Sequence, residues 1–187
     1  VGGVQICLGK KSLYTAAGGV DPDRMIPVAL DVGTDNLQLL NDDLYLGLRQ
    51  ARIRGERYDA FIASFVEAAT KVFPHAMIHW EDFGADNAHR ILSTYRDRIC
   101  TFNDDVQGSA AVVAAAFIAG VRAKGEKLSD QRVVIHGAGT AGIGVADLLV
   151  DLMVAEGLTP EQARTRFWAT SSRGLITDEP TKRFRDF

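Results

Sequence analysis

Two pairs of adjacent carboxylates have the types and spacing to do chemistry: Glu81-Asp82 and Asp104-Asp105, each following a short apolar run. If carboxylates from both pairs met at one point they would repel unless a cation lay between them. All-oxygen ligation suits Mg²⁺ or Mn²⁺. Neighbours within a strand point to opposite faces, so Glu81 and Asp82 can share an ion only past a strand end, where the backbone turns. Gly84 makes such a turn feasible. Each pair also has an ordinary reading. Asp104-Asp105 would cap a helix with favourable dipole charge, and Glu81-Asp82 would be a solvated loop. Spacing alone favours the ordinary readings; one shared cation accounts for both pairs together.

Downstream, Val133-Val134-Ile135-His136 runs into Gly137-Ala138-Gly139-Thr140-Ala141-Gly142 and a helix-forming stretch. This is G-x-G-x-x-G in strand–turn–helix context. Gly137 permits the tight turn, Gly139 lets the backbone approach a pyrophosphate, and Gly142 permits close helix–strand packing. The unpaired N–H groups of the helix start would face phosphates. A dinucleotide is the expected ligand. The next strand, Phe167 to Ala169, runs through Thr170 into Ser171-Ser172-Arg173 without the carboxylate that usually bonds the ribose of NAD. Arg173 would suit a 2′-phosphate, a lean towards NADP, and is otherwise an ordinary loop residue.

Lys10 is by default a surface lysine, although a lysine buried beside carboxylates serves as an acid–base group. His75, His79, His89 and His136 show no metal-ligand spacing and receive no role. No Cys/His cluster suggests zinc, and no G-x-S-x-G elbow suggests a hydrolase.

The elements that must position these groups alternate between helix and strand. Helices are expected over Lys10–Ala17, Asp42–Arg54, Tyr58–Val72, Asp86–Tyr95 with Asp86 as its cap, Val106–Ala123 and Ala141–Glu156, with a helical turn at Pro160–Arg164. Strands are expected at Ile26–Asp31, Met77–Trp80, Ile99–Asn103, Arg132–His136 and Phe167–Ala169, and a linker at Gly125–Asp130. That alternation predicts the α/β class with parallel sheets. The simplest division is an α/β domain over 1–103 and a partial dinucleotide-binding domain over 104–187. Both acidic pairs then lie at strand carboxyl ends, where open α/β sheets bind ligands.

The chain has 187 residues, 47% of them hydrophobic, enough for a packed core. Its net charge of −3 and the lack of a basic stripe argue against nucleic acid. No apolar run is expected to span a membrane, and no signal peptide is visible. Cys7 and Cys100 suggest reduced, buried thiols in the cytoplasm or another reducing compartment such as the mitochondrial matrix. The start without Met and the end at Phe187 read as the middle of a longer protein.

Together these stretches resemble malic enzyme, the oxidative decarboxylase of malate. The matching runs are Gly9-Lys10 with Leu13-Tyr14-Thr15-Ala16, then Asp31-Val32-Gly33-Thr34-Asp35-Asn36 and Glu81-Asp82-Phe83-Gly84. Thr101 to Gly108 and Gly137-Ala138-Gly139 follow in the same order. The resemblance implies a Rossmann-type cofactor domain with NAD or NADP, and Mg²⁺ or Mn²⁺ on Glu81, Asp82 and Asp105. It implies Lys10 as general base towards the malate hydroxyl and Asp104 as the acidic partner that tunes it.

The substrate would be L-malate, the products pyruvate and carbon dioxide, and the full-length protein a homo-oligomer. Malolactic enzyme, which releases lactate, shares these motifs, and a non-catalytic nucleotide-binding module remains a different class. The family's proton-donating tyrosine and a substrate-binding arginine would fall before Val1, and its substrate-holding asparagines beyond Phe187. Ser109 stands where Thr is usual, and Ser171 where NAD users often carry Asp. The segment alone is therefore expected to be inactive.

Overall fold

The computed structural model describes residues 3–172 and 174–177. Contacts group the chain into two compact units, Val1–Met77 and Ile78–Phe187.

In the first unit, helix α1 spans Val4–Ala16, six residues ahead of the expected start at Lys10. Gly9 lies inside it, since an interior glycine costs only about 1 kcal/mol. The strand expected at Ile26–Asp31 does not form. Pro27 has no N–H for a ladder, and Ile26 and Val28 are exposed. The helix expected over Asp42–Arg54 is also absent; a single turn, α2 (Leu37–Leu40), precedes it under an Asn36 cap. Asp42 instead accepts a hydrogen bond from the Leu44 N–H, a local turn that competes with helix.

The 42–54 segment is tied to the Asp31–Asp35 run. Asp31 accepts from the N–H groups of Gly33 (2.9 Å) and Leu48 (2.7 Å), and Asp35 accepts from Arg52 (3.0 Å). Gly33 has a φ of 84°, and a Cβ there would lie 2.6 Å from the Gln50 carbonyl oxygen. The motif is thus a clamp built on a residue that must be glycine. Helix α3, Glu56–Val72, buries Tyr58, Ile62 and Val66, the four-residue spacing expected of an amphipathic helix.

In the second unit, β1 (Ile78–Trp80), α4 (Ala85–Tyr95) and β2 (Thr101–Asn103) form a parallel pair with its crossover helix. A π-helical turn at Asp104–Gly108 leads into α5, Ser109–Ala123. After a 3-10 turn at Leu128–Asp130 come β3 (Val133–His136), α6 (Thr140–Ala155), α7 (Pro160–Arg164), β4 (Phe167–Ser171) and β5 (Gly174–Leu175). Strands β3 and β4 are parallel, and β5 returns antiparallel to β4. This is the expected α/β class, a parallel pair followed by the start of a Rossmann-type unit. Asp86 does not cap α4 as expected: Gly84 is the N-cap, with a φ of 74°, and Asp86 sits in the first turn. The expected linker at Gly125–Asp130 contains the 3-10 turn, with Leu128 buried.

The core of this unit joins Ala110 and Ala114 of α5 to Val145, Leu149 and Met153 of α6, with Leu128, Val133 and Ala163. Alanines on α5 let α6 approach closely. Trp80 is buried with its ring edge-on to Phe83, centroids 5.2 Å apart. Residues Asp104–Ala123 form a continuous helical stretch long and apolar enough to cross a bilayer by length and composition, contrary to expectation. Two of its alanines lie in the core just described. Cys7 and Cys100 form no disulfide; Cys100 is exposed rather than buried, because it lies just ahead of β2.

Candidate functional site

Register does the first positioning. Trp80 pairs with Asn103 at the carboxyl ends of parallel β1 and β2. The next residues on each strand are the two acidic pairs, so they leave neighbouring strands in step. Glu81 and Asp82 lie past the strand end, as a shared site requires. Asp82 has a φ of 66°, the left-handed conformation, and among the described residues it is the one non-glycine that does so. Such a backbone costs on the order of 1–3 kcal/mol and persists where its surroundings hold it. Here Asp105 contributes the hold, its Oδ2 accepting the Asp82 N–H at 2.7 Å.

Asp104 and Asp105 do not act as the helix cap. Fully buried Asn103 takes that place, its Oδ1 accepting from the Val106 N–H at 3.0 Å. Its own N–H donates to Gln107 Oε1 at 3.0 Å. The Ser109 N–H closes on the Asp104 carbonyl, giving the wide turn of a π-helix. Such turns recur at functional sites. A Cβ on Gly108 would collide with the Asp104 carboxylate, so the turn needs glycine there.

His79, for which no role was expected, belongs to this cluster. Its ring stacks on Phe102 with centroids 4.5 Å apart. Its Nε2 lies 3.4 Å from Glu81 Oε2 and 4.0 Å from Asp104 Oδ2. Among the described residues, His79, Glu81 and Asp104 form a group whose candidate ligand atoms all lie within 4.8 Å of one another. Their side chains are only 18%, 15% and 22% exposed. At 4.8 Å two like charges repel by about 3–4 kcal/mol at an effective dielectric constant of about 20. A cation would offset that repulsion, and one imidazole with two carboxylates is a donor set that divalent metals accept. The sequence signal for His79 was its place two residues before Glu81, the spacing that puts side chains on one face of a strand.

Of the three expected ligands, Glu81 lies in the group with His79 and with Asp104, which was expected as the partner of Lys10 and not as a ligand; Asp82 and Asp105 are tied to each other by the backbone hydrogen bond and lie outside that group. Lys10 lies within α1 of the first unit and is half-buried.

The glycine loop joins β3 to α6. The N–H groups of Gly137 and Ala138 both donate to the Thr170 carbonyl at 3.0 Å, closing the loop onto β4. Gly137 has a φ of 103°. A Cβ on Gly142 would collide with the Gly137 carbonyl oxygen and meet Ile135 Cγ2 at 3.0 Å, the close helix–strand approach expected of that glycine. Gly139 is the N-cap of α6 with no side-chain cap, and space beside it is open. Thr140, Ala141 and Gly142 begin the helix, where N–H groups lack intrahelical acceptors. Ser171 ends β4 and is half-buried; Arg173 lies outside the described residues.

The fold and site define an α/β protein with a dinucleotide-type β–α–β unit beside a strand end able to hold a cation. The chain belongs to the malic enzyme family. The family's N-terminal domain matches residues 1–96 and its NAD binding domain residues 106–187. It is 52% identical to NAD-dependent malic enzyme 3 of Bacillus subtilis, over 96% of this chain and 32% of that protein. It is 48% identical to the mitochondrial NAD-dependent malic enzyme of Saccharomyces cerevisiae, over 94% of this chain and 26% of that protein. The crystal structure of Entamoeba histolytica malic enzyme shares the fold, with a TM-score of 0.64 at 21% identity, covering 94% of this chain and 30% of that one. The chain thus spans about a third of the length of the curated relatives it matches.

Proposed function

We propose that the full-length protein converts L-malate to pyruvate and carbon dioxide while reducing a nicotinamide dinucleotide. The observation that carries this reading is the in-step exit of Glu81-Asp82 and Asp104-Asp105 from paired parallel strands. In this reading residues 1–103 supply the base and the first acidic pair, and residues 104–187 the second pair and the cofactor loop.

Glu81, Asp82 and Asp105 hold Mg²⁺ or Mn²⁺, with His79 and Asp104 beside them. When bound, the cation supplies Lewis acidity towards the oxygen on C2 of the substrate. Lys10 is the general base that takes the C2 hydroxyl proton onto its Nζ, with Asp104 as its acidic partner; both roles rest on family membership. The loop from Gly137 through Ala138, Gly139, Thr140 and Ala141 to Gly142 seats the pyrophosphate with backbone N–H groups. The hydrogen bond between Asp105 and the Asp82 N–H keeps the two acidic segments in one orientation.

The names of the relatives favour NAD. The lack of a carboxylate over Phe167–Ser171 leans the other way, towards NADP. The ratio of kcat/KM for the two dinucleotides decides between them.

The test is turnover of malate by the full-length protein with Mn²⁺ and either dinucleotide. Pyruvate and reduced cofactor in equal amounts are expected, with activity lost on chelation. Lactate without net cofactor reduction would establish the malolactic reaction instead. Dinucleotide binding without turnover or metal dependence would establish a non-catalytic module.

A further inference from the structure

The first turns of α6 are held backbone-to-backbone on two opposite sides. Gly142 and Gly144 stand two residues apart, about 200° around the helix axis. On one side, Gly142 packs on the carbonyl of Gly137 in the glycine loop. On the other, Gly144 packs on the acidic turn. A Cβ there would collide with the Val106 carbonyl oxygen, and would lie 3.1 Å from its carbon and 3.2 Å from Val106 Cγ1. Both Gly144 and Val106 are buried. A second link reaches the other acidic pair. His89 Nε2–H donates to the carbonyl of Thr140, the first residue of α6, at 3.3 Å. His89 lies on α4, the helix that directly follows the Glu81-Asp82 loop.

The helix that presents N–H groups to a dinucleotide therefore touches the turn that carries Asp104 and Asp105, and also α4, the helix that follows the Glu81-Asp82 loop. Packed backbone contacts transmit small displacements rather than absorb them, because the interior is close-packed. We propose that dinucleotide and divalent cation bind with coupled affinities, and that Gly144 is the positioning residue that couples them, with His89 as a second link. The inference rests on the proposed cofactor and cation sites and adds the path between them. Filling the glycine loop fixes the N-terminal end of α6. Through Gly144 it fixes Val106 and the Asp104-Asp105 turn, so less ordering is left for the cation to impose. Linkage requires the same factor in both directions.

The experiment uses the full-length protein. The Kd for Mn²⁺ is measured by electron paramagnetic resonance of the free ion, with and without saturating NAD⁺ or NADP⁺. The dinucleotide Kd is measured by fluorescence, with and without Mn²⁺. The expected coupling is about 5-fold or more, within the usual allosteric range, and equal in both directions. Gly144→Ala should still bind each ligand alone while the coupling falls towards one. His89→Phe, at a half-buried position, should lower the coupling without abolishing it.

Both ligands binding to the native protein with no mutual effect would overturn the inference and leave the proposed sites standing. Undiminished coupling in Gly144→Ala would overturn it too. Should Gly144→Ala fail to fold, undiminished coupling in His89→Phe overturns it and a reduced value supports it. Failure of the native protein to bind Mn²⁺ at all would instead remove the proposed cation site, and the inference with it.

Discussion

The Asp105 carboxylate and the Asp82 backbone N–H are joined by a 2.7 Å hydrogen bond across the ends of two parallel strands. The bond holds a left-handed aspartate in place and brings both acidic pairs to one edge of the sheet. It also separates two jobs that one carboxylate performs, supporting a backbone and bearing a charge.

Substitutions at Asp105 tell those jobs apart. Asp105→Asn keeps an oxygen for the Asp82 N–H, so stability should stay within about 1 kcal/mol of native, while Mn²⁺ affinity falls. Asp105→Ala loses both functions, and Mn²⁺ affinity should drop about 100-fold or more. Thermal unfolding and Mn²⁺ titration of the full-length protein measure the two. Native affinity in Asp105→Asn would remove this residue from the ligand set.

Gly108 leaves room for the Asp104 carboxylate over its own turn. Gly108→Ala should cost about 1–3 kcal/mol by overpacking and displace that carboxylate, weakening Mn²⁺ binding. Denaturant titration together with metal binding checks this. Unchanged values in both would mean that the side chain rotates clear at no cost.

The His79 ring both stacks on Phe102 and faces Glu81 and Asp104. His79→Phe keeps a stacking ring and removes the nitrogen, so it should preserve stability yet weaken Mn²⁺ about 10-fold. His79→Ala should lose both. Equal metal affinity in native protein and His79→Phe would confine this residue to packing.

On the cofactor side, Gly142→Val should push α6 off the Gly137 carbonyl. Dinucleotide affinity should fall at least about 10-fold, equivalent to about 1.4 kcal/mol, while Mn²⁺ still binds in the absence of dinucleotide. Loss of Mn²⁺ binding on its own would contradict the assignment of this loop.

A pH effect follows from Glu156, whose Oε2 accepts the Ser129 N–H at 2.8 Å. That hydrogen bond, aided by the positive charge of Lys127, holds its carboxyl below the ordinary value of 4.5. A depressed carboxylate contributes stability above its unfolded pKa and loses it as pH falls through the folded value. Glu156→Gln should therefore be less stable than native near neutral pH, by about 0.5 kcal/mol given its exposure. The two should converge as pH falls through the depressed folded-state value of Glu156. A stability gap that persists in acid would rule out this charge as the cause.

Local patterns made part of the molecule legible. The apolar spacing along 58–72 sufficed for α3, since the helix buries residues four apart against one side. The strand–glycine–helix order sufficed for β3, α6 and the close approach at Gly142. Family motifs named both acidic pairs and Lys10. Two expected elements in the first unit failed because the outcome was settled by partners distant in sequence. Asp31 reaches Leu48 and Asp35 reaches Arg52, so the 42–54 segment gains more from those hydrogen bonds than from a helix. At Ile26–Asp31, apolar composition could not reveal that no ladder would form around Pro27.

By itself, then, the order of residues determined the α/β class, the parallel strand pairs and which side chains carry charge at strand ends, because those follow from periodicity and turn chemistry over a few positions. Only the tertiary structure decided that Trp80 stands opposite Asn103, that Asp82 turns left-handed under Asp105, and that His79 faces Glu81 and Asp104. Those relationships depend on strand register and on contacts between segments more than twenty residues apart. Register is chosen by the packing of the whole unit, which no short stretch of sequence contains.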